Sequence, residues 1–250
     1  MKSIQASHNK VLSERKRFYF NRGIEFVIKD ALPKDIDIEK VIALLRSNLP
    51  ESSYLGINNV YFGEFEILDK RQLTALHYED NVYISSKNLK GEKDILDDLI
   101  HEFAHRFEEN NSEAIYEDGK IINEFLGKRN RLYDLLRQEI DLDTGWFKIS
   151  YFDFLNTEFN QEFDKFLYKD VGYEMITNLA PTLFIRPYAA TSVREYFATG
   201  FEDYYLNGGH KLKQISPVLY GRIKDLESSK DFRRTRWEKS QLLKKMKVTS

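Results

Sequence analysis

The stretch His101-Glu102-Phe103-Ala104-His105 has the form H-E-x-x-H, and it lies in a segment, residues 92–110, that contains neither proline nor glycine. Apolar residues recur in this segment at helical spacing, which predicts an α-helix. Side chains four residues apart lie on one helix face, so His101 and His105 can bind a single metal ion. Glu102 is rotated away from that face and is positioned to act as a general base on a zinc-bound water.

Two other interpretations of this stretch compete with a zinc site. H-E-x-x-H arises by chance in roughly one chain of this kind in a hundred. The pair Glu102-x-x-His105 also fits the ligands of di-iron helix bundles, which need a second Glu-x-x-His pair. The other histidines are His8, His77 and His210, and none of them has a glutamate three residues before it. The pattern therefore favours a zinc site.

Composition restricts the class of function. The 250 residues include 38 basic and 40 acidic side chains, a net charge of −2, which gives no global attraction to nucleic acid. Hydrophobic residues make up 42%, enough for the core of one large domain or two small ones. The sequence has no cysteine, so a metal must be held by histidine and carboxylate side chains.

The sequence contains no recognisable targeting or membrane segment. Residues 1–8 lack the apolar region of a secretory signal. No apolar run approaches the roughly 18 residues that a membrane-spanning helix needs. We therefore expect a cytoplasmic protein, or one that is released or carried in a virion by a route without a signal, and we expect no membrane partner.

The first half of the chain alternates strand and helix patterns, which predicts an α+β fold with a small mixed sheet. Strands are predicted over residues 24–28, 60–67, 73–77 and 82–86, and a helix over 37–45. Residues 81–86 alternate in the way typical of an edge strand, which we expect to lie over the H-E-x-x-H helix. Such a strand either pairs with an extended peptide by β-augmentation or belongs to the sheet scaffold.

The second half is predicted to be mostly helical. Two apolar stripes at helical spacing support this, and they comprise Ile121, Phe125, Leu132, Leu136 and Ile140, and then Phe159, Phe163, Phe166 and Leu167. We expect an N-terminal arm over residues 1–17 and a single domain over 18–215. The α+β lobe of that domain would end near residue 110. A basic helical tail would follow over 216–250.

The predicted tail begins with Ser216 and Pro217, a helix N-cap followed by proline at the first helical position, and its helix should run to Leu226. Eight lysine and arginine residues follow between positions 230 and 247. This basic stretch either contacts nucleic acid or an acidic partner, or forms a solvated basic helix.

A catalytic zinc ion takes three protein ligands and keeps one position for water, so the sequence must supply a third ligand. Glu108 lies on the histidine face but one turn too far along the helix. A second predicted helix begins at Ser192 and presents Glu195 beside small residues, which would allow a close approach. Ser192-x-x-Glu195 also has the form of a capping box, in which Glu195 would bond the helix backbone instead. The local residues leave both roles open.

H-E-x-x-H, then Tyr188, then Glu195-Tyr196-Phe197-Ala198-x-x-Phe201 together resemble the anthrax lethal factor-like metallopeptidases, a group that includes the Pro-Pro endopeptidases. Members of that group carry a glutamate ligand at the start of an E-[FY]-F-A-x-x-F helix, and a tyrosine stands seven residues before it. Tyr188 stands seven residues before Glu195. The resemblance covers residues 80–206.

The resemblance implies a zincin-like metallopeptidase fold with one zinc ion per chain, held by His101, His105 and Glu195. It implies that Glu102 activates the water that attacks a peptide carbonyl. It also implies that Tyr188 donates its hydroxyl to the developing oxyanion. The expected function is a zinc-dependent endopeptidase acting on a protein or peptide substrate.

Members of that group are typically exported toxins or secreted proteases, whereas this sequence shows no export signal. The alternative function is a non-catalytic zincin-fold component of a larger assembly such as a virion. In that interpretation residues 230–247 would contact nucleic acid.

Overall fold

The computed structural model describes residues 16–228, apart from residues 72, 88, 141 and 143–146. The chain forms two compact units, the first ending at Phe107 and the second beginning at Glu108. The domain limits predicted at residues 17/18 and 215/216 stay predictions. Most of the predicted arm, residues 1–15, and the basic stretch 230–247 lie outside the described residues.

The first unit is built on a five-stranded mixed sheet, which confirms the predicted α+β class. In chain order its strands are β1 (Arg17–Tyr19), β2 (Glu25–Ile28), β3 (Asn59–Gly63), β4 (Ala75–Tyr78) and β5 (Asn81–Ser85). Their order in space is β1-β2-β3-β5-β4. The inner strands β2, β3 and β5 run parallel, and β1 and β4 pair antiparallel at the two ends.

Among the described residues of this unit, three α-helices accompany the sheet: α1 (Ile38–Asn48), α2 (Glu66–Arg71) and α3 (Glu92–Tyr116). Helix α1 begins where the Asp37 carboxylate accepts the first free backbone N–H groups, those of Glu39 and Lys40. It links the parallel strands β2 and β3, which cannot be joined by a tight turn. The boundary between the two units falls inside α3.

One face of the sheet carries the core of the first unit. Fully buried side chains on this face come from β2, β3 and β5, and they are Phe26, Val60, Phe62, Val82 and Ile84. Helix α3 packs on the sheet and buries Leu99 and Phe103. The opposite face is half-exposed, and there Tyr61 and Tyr83 stack with ring centroids 5.4 Å apart.

The predicted edge strand is assigned to the wrong residues. Strand β5 lies between β3 and β4, so the edge on this side of the sheet is β4. The alternating pattern of residues 81–86 arises because one face of the sheet is buried and the other is half-exposed. An inner strand alternates in that situation as much as an edge strand does.

The strand predicted over residues 60–67 is too long, because β3 ends at Gly63 and residues from Glu66 form α2. The Asp30 carboxylate accepts the backbone N–H of Glu64 at 2.9 Å. A Cβ atom at position 63 would lie 2.7 Å from the same carboxylate. The Asp30 side chain thus bonds the chain just after β3, and it would have to shift to admit a larger residue at position 63.

The second unit contains no strand among its described residues and is mostly helical, as predicted. Its helices are α4 (Lys120–Glu139), α5 (Tyr151–Leu155), α6 (Gln161–Lys165), α7 (Tyr173–Leu179), α8 (Val193–Leu206), α9 (His210–Ile215) and α10 (Pro217–Ser228). A π-helix spans Phe166–Gly172 and a 3₁₀ turn spans Pro187–Ala190.

Most residues of the two predicted apolar stripes lie in the core of this unit. On α4 the fully buried members are Ile121, Phe125, Leu132 and Leu136. The second stripe is buried from Phe163 onward, whereas Phe159 is 44% exposed and lies outside the core.

Helix α10 begins at Pro217, as predicted. The acceptor for its first free N–H groups is a carboxylate from another helix. Glu124 of α4 accepts the backbone N–H groups of Val218 and Leu219 at 3.0 and 3.1 Å. It also accepts the Tyr196 hydroxyl at 2.8 Å, so one side chain ties α4, α8 and α10 together.

Gly200 of α8 lies close to side chains of α9 and α10. A Cβ atom at this position would overlap the Leu219 side chain and lie 3.1 Å from Cδ1 of Leu212. Both leucines are fully buried. A larger side chain at position 200 would therefore have to displace packed neighbours.

We predict that Gly200→Ala lowers the free energy of unfolding by about 1–3 kcal/mol, because the added methyl overpacks this contact. Gly127→Ala is the matched control, since a Cβ there meets nothing within 4 Å. It should raise the free energy of unfolding by about 0.5–1 kcal/mol through helix propensity. Urea unfolding of both variants measures the difference, and equal stabilities would contradict the packing argument.

Candidate metal centre

Helix α3 presents two imidazoles on one side. The ring centroids of His101 and His105 are 4.9 Å apart and their planes are 88° apart. His105 is buried, with 7% of its surface exposed, and His101 is half-buried. Leu99 and Phe103 are fully buried on other sides of the helix, so packing fixes the rotation that presents the two rings.

Helix α3 also carries a polar stripe of three residues four apart, Asp98, Glu102 and Arg106. Each of them bonds the β4–β5 hairpin or the residue just before it. Thr74 Oγ1 donates to Asp98 at 3.1 Å, and the backbone N–H of His77 donates to Glu102 at 2.6 Å. Arg106 Nη2 pairs with Asp80 at 2.7 Å. The stripe holds β4, the edge strand, along the helix that carries the histidines.

Glu102 is the most consequential member of the polar stripe, because it is the predicted base. Its side chain is 8% exposed. A carboxylate that is buried to this extent needs hydrogen-bond donors to compensate for lost hydration. The donor that the structure provides is a main-chain group of β4, the N–H of His77, which bonds Oε2.

Arg106 extends the stripe towards a glycine. Gly56 has φ +88°, and a Cβ atom there would lie 2.6 Å from Nε of Arg106. Glycine is required at position 56 both for the left-handed backbone and for the close approach of the guanidinium. Arg106 is thereby held between Gly56 and Asp80.

The segment that carries Tyr188 and Glu195 is ordered by short-range bonds. The Tyr188 carbonyl accepts both the N–H and the hydroxyl of Thr191, at 3.0 and 2.9 Å. The Ser192 hydroxyl accepts the N–H of Glu195 at 3.1 Å and caps α8. This bond is one half of the predicted capping box. The tyrosine turn and the first turn of α8 are therefore one continuous structured segment.

Two buried cations of α4 hold the same segment from the core. Arg129, 1% exposed, donates through Nη1 to the carbonyls of Ala190 and Thr191 at 2.6 and 3.3 Å. Its guanidinium carbon lies 3.9 Å from the ring centroid of Phe163. Burial lowers the pKa of Arg129 to about 9, so it stays protonated at neutral pH.

Lys128 acts beside Arg129. Its ammonium donates to the carbonyl of Leu183 at 2.7 Å and to that of Ile215. Burial lowers the pKa of Lys128, and the charge of Glu124 opposes that change. Between them the two cations fix the backbone at several points between residues 183 and 191.

Arg194, the residue before Glu195, joins α8 to the end of α3. It pairs with Glu109 at 2.6 Å and with the buried Glu108 at 3.7 Å. The Tyr116 hydroxyl also donates to Glu108. Burial and then the charge of Glu108 raise the pKa of Tyr116, which keeps that hydroxyl protonated. Glu108 is thus bound within an ion-pair network. This agrees with the expectation that it lies too far along the helix to be the third metal ligand.

His101, His105 and Glu195 form a group that could hold a metal ion. One ligand atom from each residue, a ring nitrogen or a carboxylate oxygen, lies within 4.8 Å of the others. His105 is buried and the other two are half-buried. Of the two roles that local sequence allowed for Glu195, this grouping supports that of ligand.

The chemistry of this donor set limits the choice of metal. Two imidazoles and one carboxylate are the ligands of many catalytic zinc sites, in which a fourth position stays open. The same set also binds Fe(II) in another class of enzymes. The residues therefore fit zinc, and they also fit Fe(II).

Of the five predicted site residues, three make up this group. Glu102 follows His101 on α3, and its contact with β4 is described above. Tyr188 is half-buried in the 3₁₀ turn that precedes α8. The catalytic roles of Glu102 and Tyr188 stay predictions.

Sequence reasoning missed the residues that support the site. Arg129 had a usable signal, because it stands four residues after Phe125 and three before Leu132, at an apolar-stripe position. A cation there indicates a buried partner. No pattern in the sequence indicates the contact between His77 and Glu102, because the main chain of His77 makes it.

No family model, curated protein or solved structure matches this chain. Among the described residues, no helix has the length and apolar character needed to cross a membrane.

We predict that Glu195→Ala weakens Zn²⁺ binding by more than the roughly 10–100-fold that follows loss of a residue supporting a ligand. The reason is that a direct donor is removed while Ser192 still caps α8. Glu174→Ala, at an exposed position of α7, is the matched control. Competition with a chromogenic zinc chelator measures the affinities, and parent-like binding by Glu195→Ala would contradict this ligand assignment.

Proposed function

We propose that this protein is a zinc-dependent endopeptidase that hydrolyses peptide bonds in a protein or peptide substrate. The observation that carries the proposal is the grouping of His101, His105 and Glu195 within 4.8 Å, with a buried carboxylate, Glu102, between the two histidines in sequence. The resemblance to the anthrax lethal factor-like metallopeptidases supports the same function.

His101, His105 and Glu195 would hold the metal. When bound, zinc would lower the pKa of water and polarise the peptide carbonyl. Glu102 takes the proton of the attacking water and passes it to the leaving amine. Tyr188 donates its hydroxyl to the carbonyl oxygen as negative charge develops there.

The substrate that we infer is extended at the cleaved bond. Strand β4 is the sheet edge and is bonded to α3 along the polar stripe. An extended peptide can add to an edge strand by main-chain hydrogen bonds. Strand β4 therefore takes the substrate-pairing role, which was one of the two roles expected for residues 81–86.

We predict that Glu102→Gln keeps one zinc ion per chain and lowers kcat by roughly 10²–10⁴-fold. Glutamine keeps an oxygen that can accept the His77 N–H, but it cannot take a proton from water. Metal analysis and cleavage of a library of fluorescence-quenched peptides measure the two effects.

His105→Ala is the control for that experiment, and it should lose zinc and cleavage together. Cleavage by Glu102→Gln at the parent rate would contradict the assigned base. A parent protein that binds zinc and cleaves no peptide would contradict the proposed function and favour the non-catalytic scaffold.

We predict that Tyr188→Phe lowers kcat by roughly 10²–10³-fold, as loss of one oxyanion donor does, with little change in KM. The ring stays in place and only the hydroxyl is lost. Tyr151→Phe, at an exposed tyrosine, is the matched control. Steady-state kinetics on the best-cleaved library peptide provides the measurement, and an unchanged kcat would remove Tyr188 from the mechanism.

A further inference from the structure

The contact between His77 and Glu102 joins a main-chain donor to the proposed base. The backbone N–H of His77 donates to Oε2 of Glu102 at 2.6 Å, a short distance for an N–H donor. Hydrogen bonds to an ionised acceptor are shorter and about twice as strong as neutral ones. Glu102 is 8% exposed, so water competes weakly for the carboxylate.

The register of the hairpin explains why this N–H is available. Strand β4 pairs antiparallel with β5, and the Thr74 carbonyl accepts the N–H of Ser85 at 2.8 Å. Main-chain groups of successive residues point to opposite sides of a strand. The main-chain groups that face β5 are therefore those of Thr74, Leu76 and Tyr78. The main-chain groups of Ala75 and His77 face outward from the sheet edge.

The two flanking contacts of the polar stripe hold this geometry. Thr74 bonds Asp98 four residues before Glu102, and Asp80 pairs with Arg106 four residues after it. The strand is thus attached to α3 on both sides of the Glu102 contact. Sliding β4 along the helix would break all three contacts together.

We propose that the backbone N–H of His77 is the positioning group for Glu102, so that β4 holds the base in its working orientation. The bond engages Oε2 and leaves Oε1 to take the proton from water. This inference rests on the proposed function. It also implies that an extended substrate pairs with β4 through groups other than this N–H.

The first test compares His77→Pro with His77→Ala. Both variants lose the imidazole, but only proline lacks the N–H, and proline is tolerated on edge strands where that group faces outward. We expect kcat of His77→Pro to lie roughly ten- to a hundredfold below that of His77→Ala, with similar KM and one zinc ion in each. Equal kcat values in the two variants would overturn the inference.

Thr74→Val separates positioning of the base from general attachment of the strand. It removes the neighbouring contact to Asp98 and leaves the His77 N–H in place. We expect kcat of Thr74→Val to stay well above that of His77→Pro. A loss of the same size in both variants would mean that strand placement alone matters, and this would overturn the role of the N–H.

The second test needs neither metal nor activity, and it does not depend on the folding of the proline variant. Amide hydrogen exchange is followed in the zinc-free parent and in zinc-free Glu102→Ala. We expect the His77 amide to exchange roughly tenfold faster or more in Glu102→Ala, because its acceptor is lost. The amide of Val82, on the neighbouring strand, should be unchanged.

Failure of this inference is distinguishable from failure of the proposed function. A parent that cleaves peptides, with equal kcat in His77→Pro and His77→Ala or an unchanged His77 amide in Glu102→Ala, overturns the inference alone. A parent that binds zinc and cleaves nothing overturns the proposed function and this role with it.

Discussion

The rotation of about 100° per residue along helix α3 is the constraint on which the candidate site depends. That rotation sorts the side chains of one short stretch into three sets. One set, with Leu99 and Phe103, is buried and holds the helix on the sheet. The histidines form the second set and the polar stripe forms the third. A shift of one residue in the packing would misplace all three, so the hydrophobic contacts also determine where the imidazoles point.

Buried charge determines the other half of the site. Arg129 and Lys128 place two cations in the core of the second unit and bond them to main-chain carbonyls. A buried cation is costly unless it is well hydrogen-bonded, so the carbonyls must be held where the cations can reach them. Residues 183–191 are held by these bonds together with the 3₁₀ turn over Pro187–Ala190. Tyr188 lies within this stretch, and Glu195 follows four residues after the end of the stretch.

Local periodicity explains what the sequence predicts correctly. The α+β class, helix α3, the apolar stripe of α4 and the start of α10 follow from patterns that span a few residues. The order of strands does not follow from such patterns. Alternation identified residues 81–86 as half-buried, but it could not show that β4 lies outside β5. Likewise, the carboxylate that bonds the chain just after β3 belongs to Asp30, which is more than thirty residues away in sequence.

The candidate site likewise has features that can be predicted from the sequence and features that cannot. The predicted metal ligands are side chains at positions where their chemistry can be read, and the structure groups all three of them. Glu102 differs, because the bond that orients it comes from a backbone N–H that almost any residue at position 77 could supply. What selects the donor is the register of β4 against β5, since a shift of one residue would turn this N–H towards β5. The position of the Glu102 carboxylate is therefore encoded in strand pairing, and the identity of residue 77 carries little information about it.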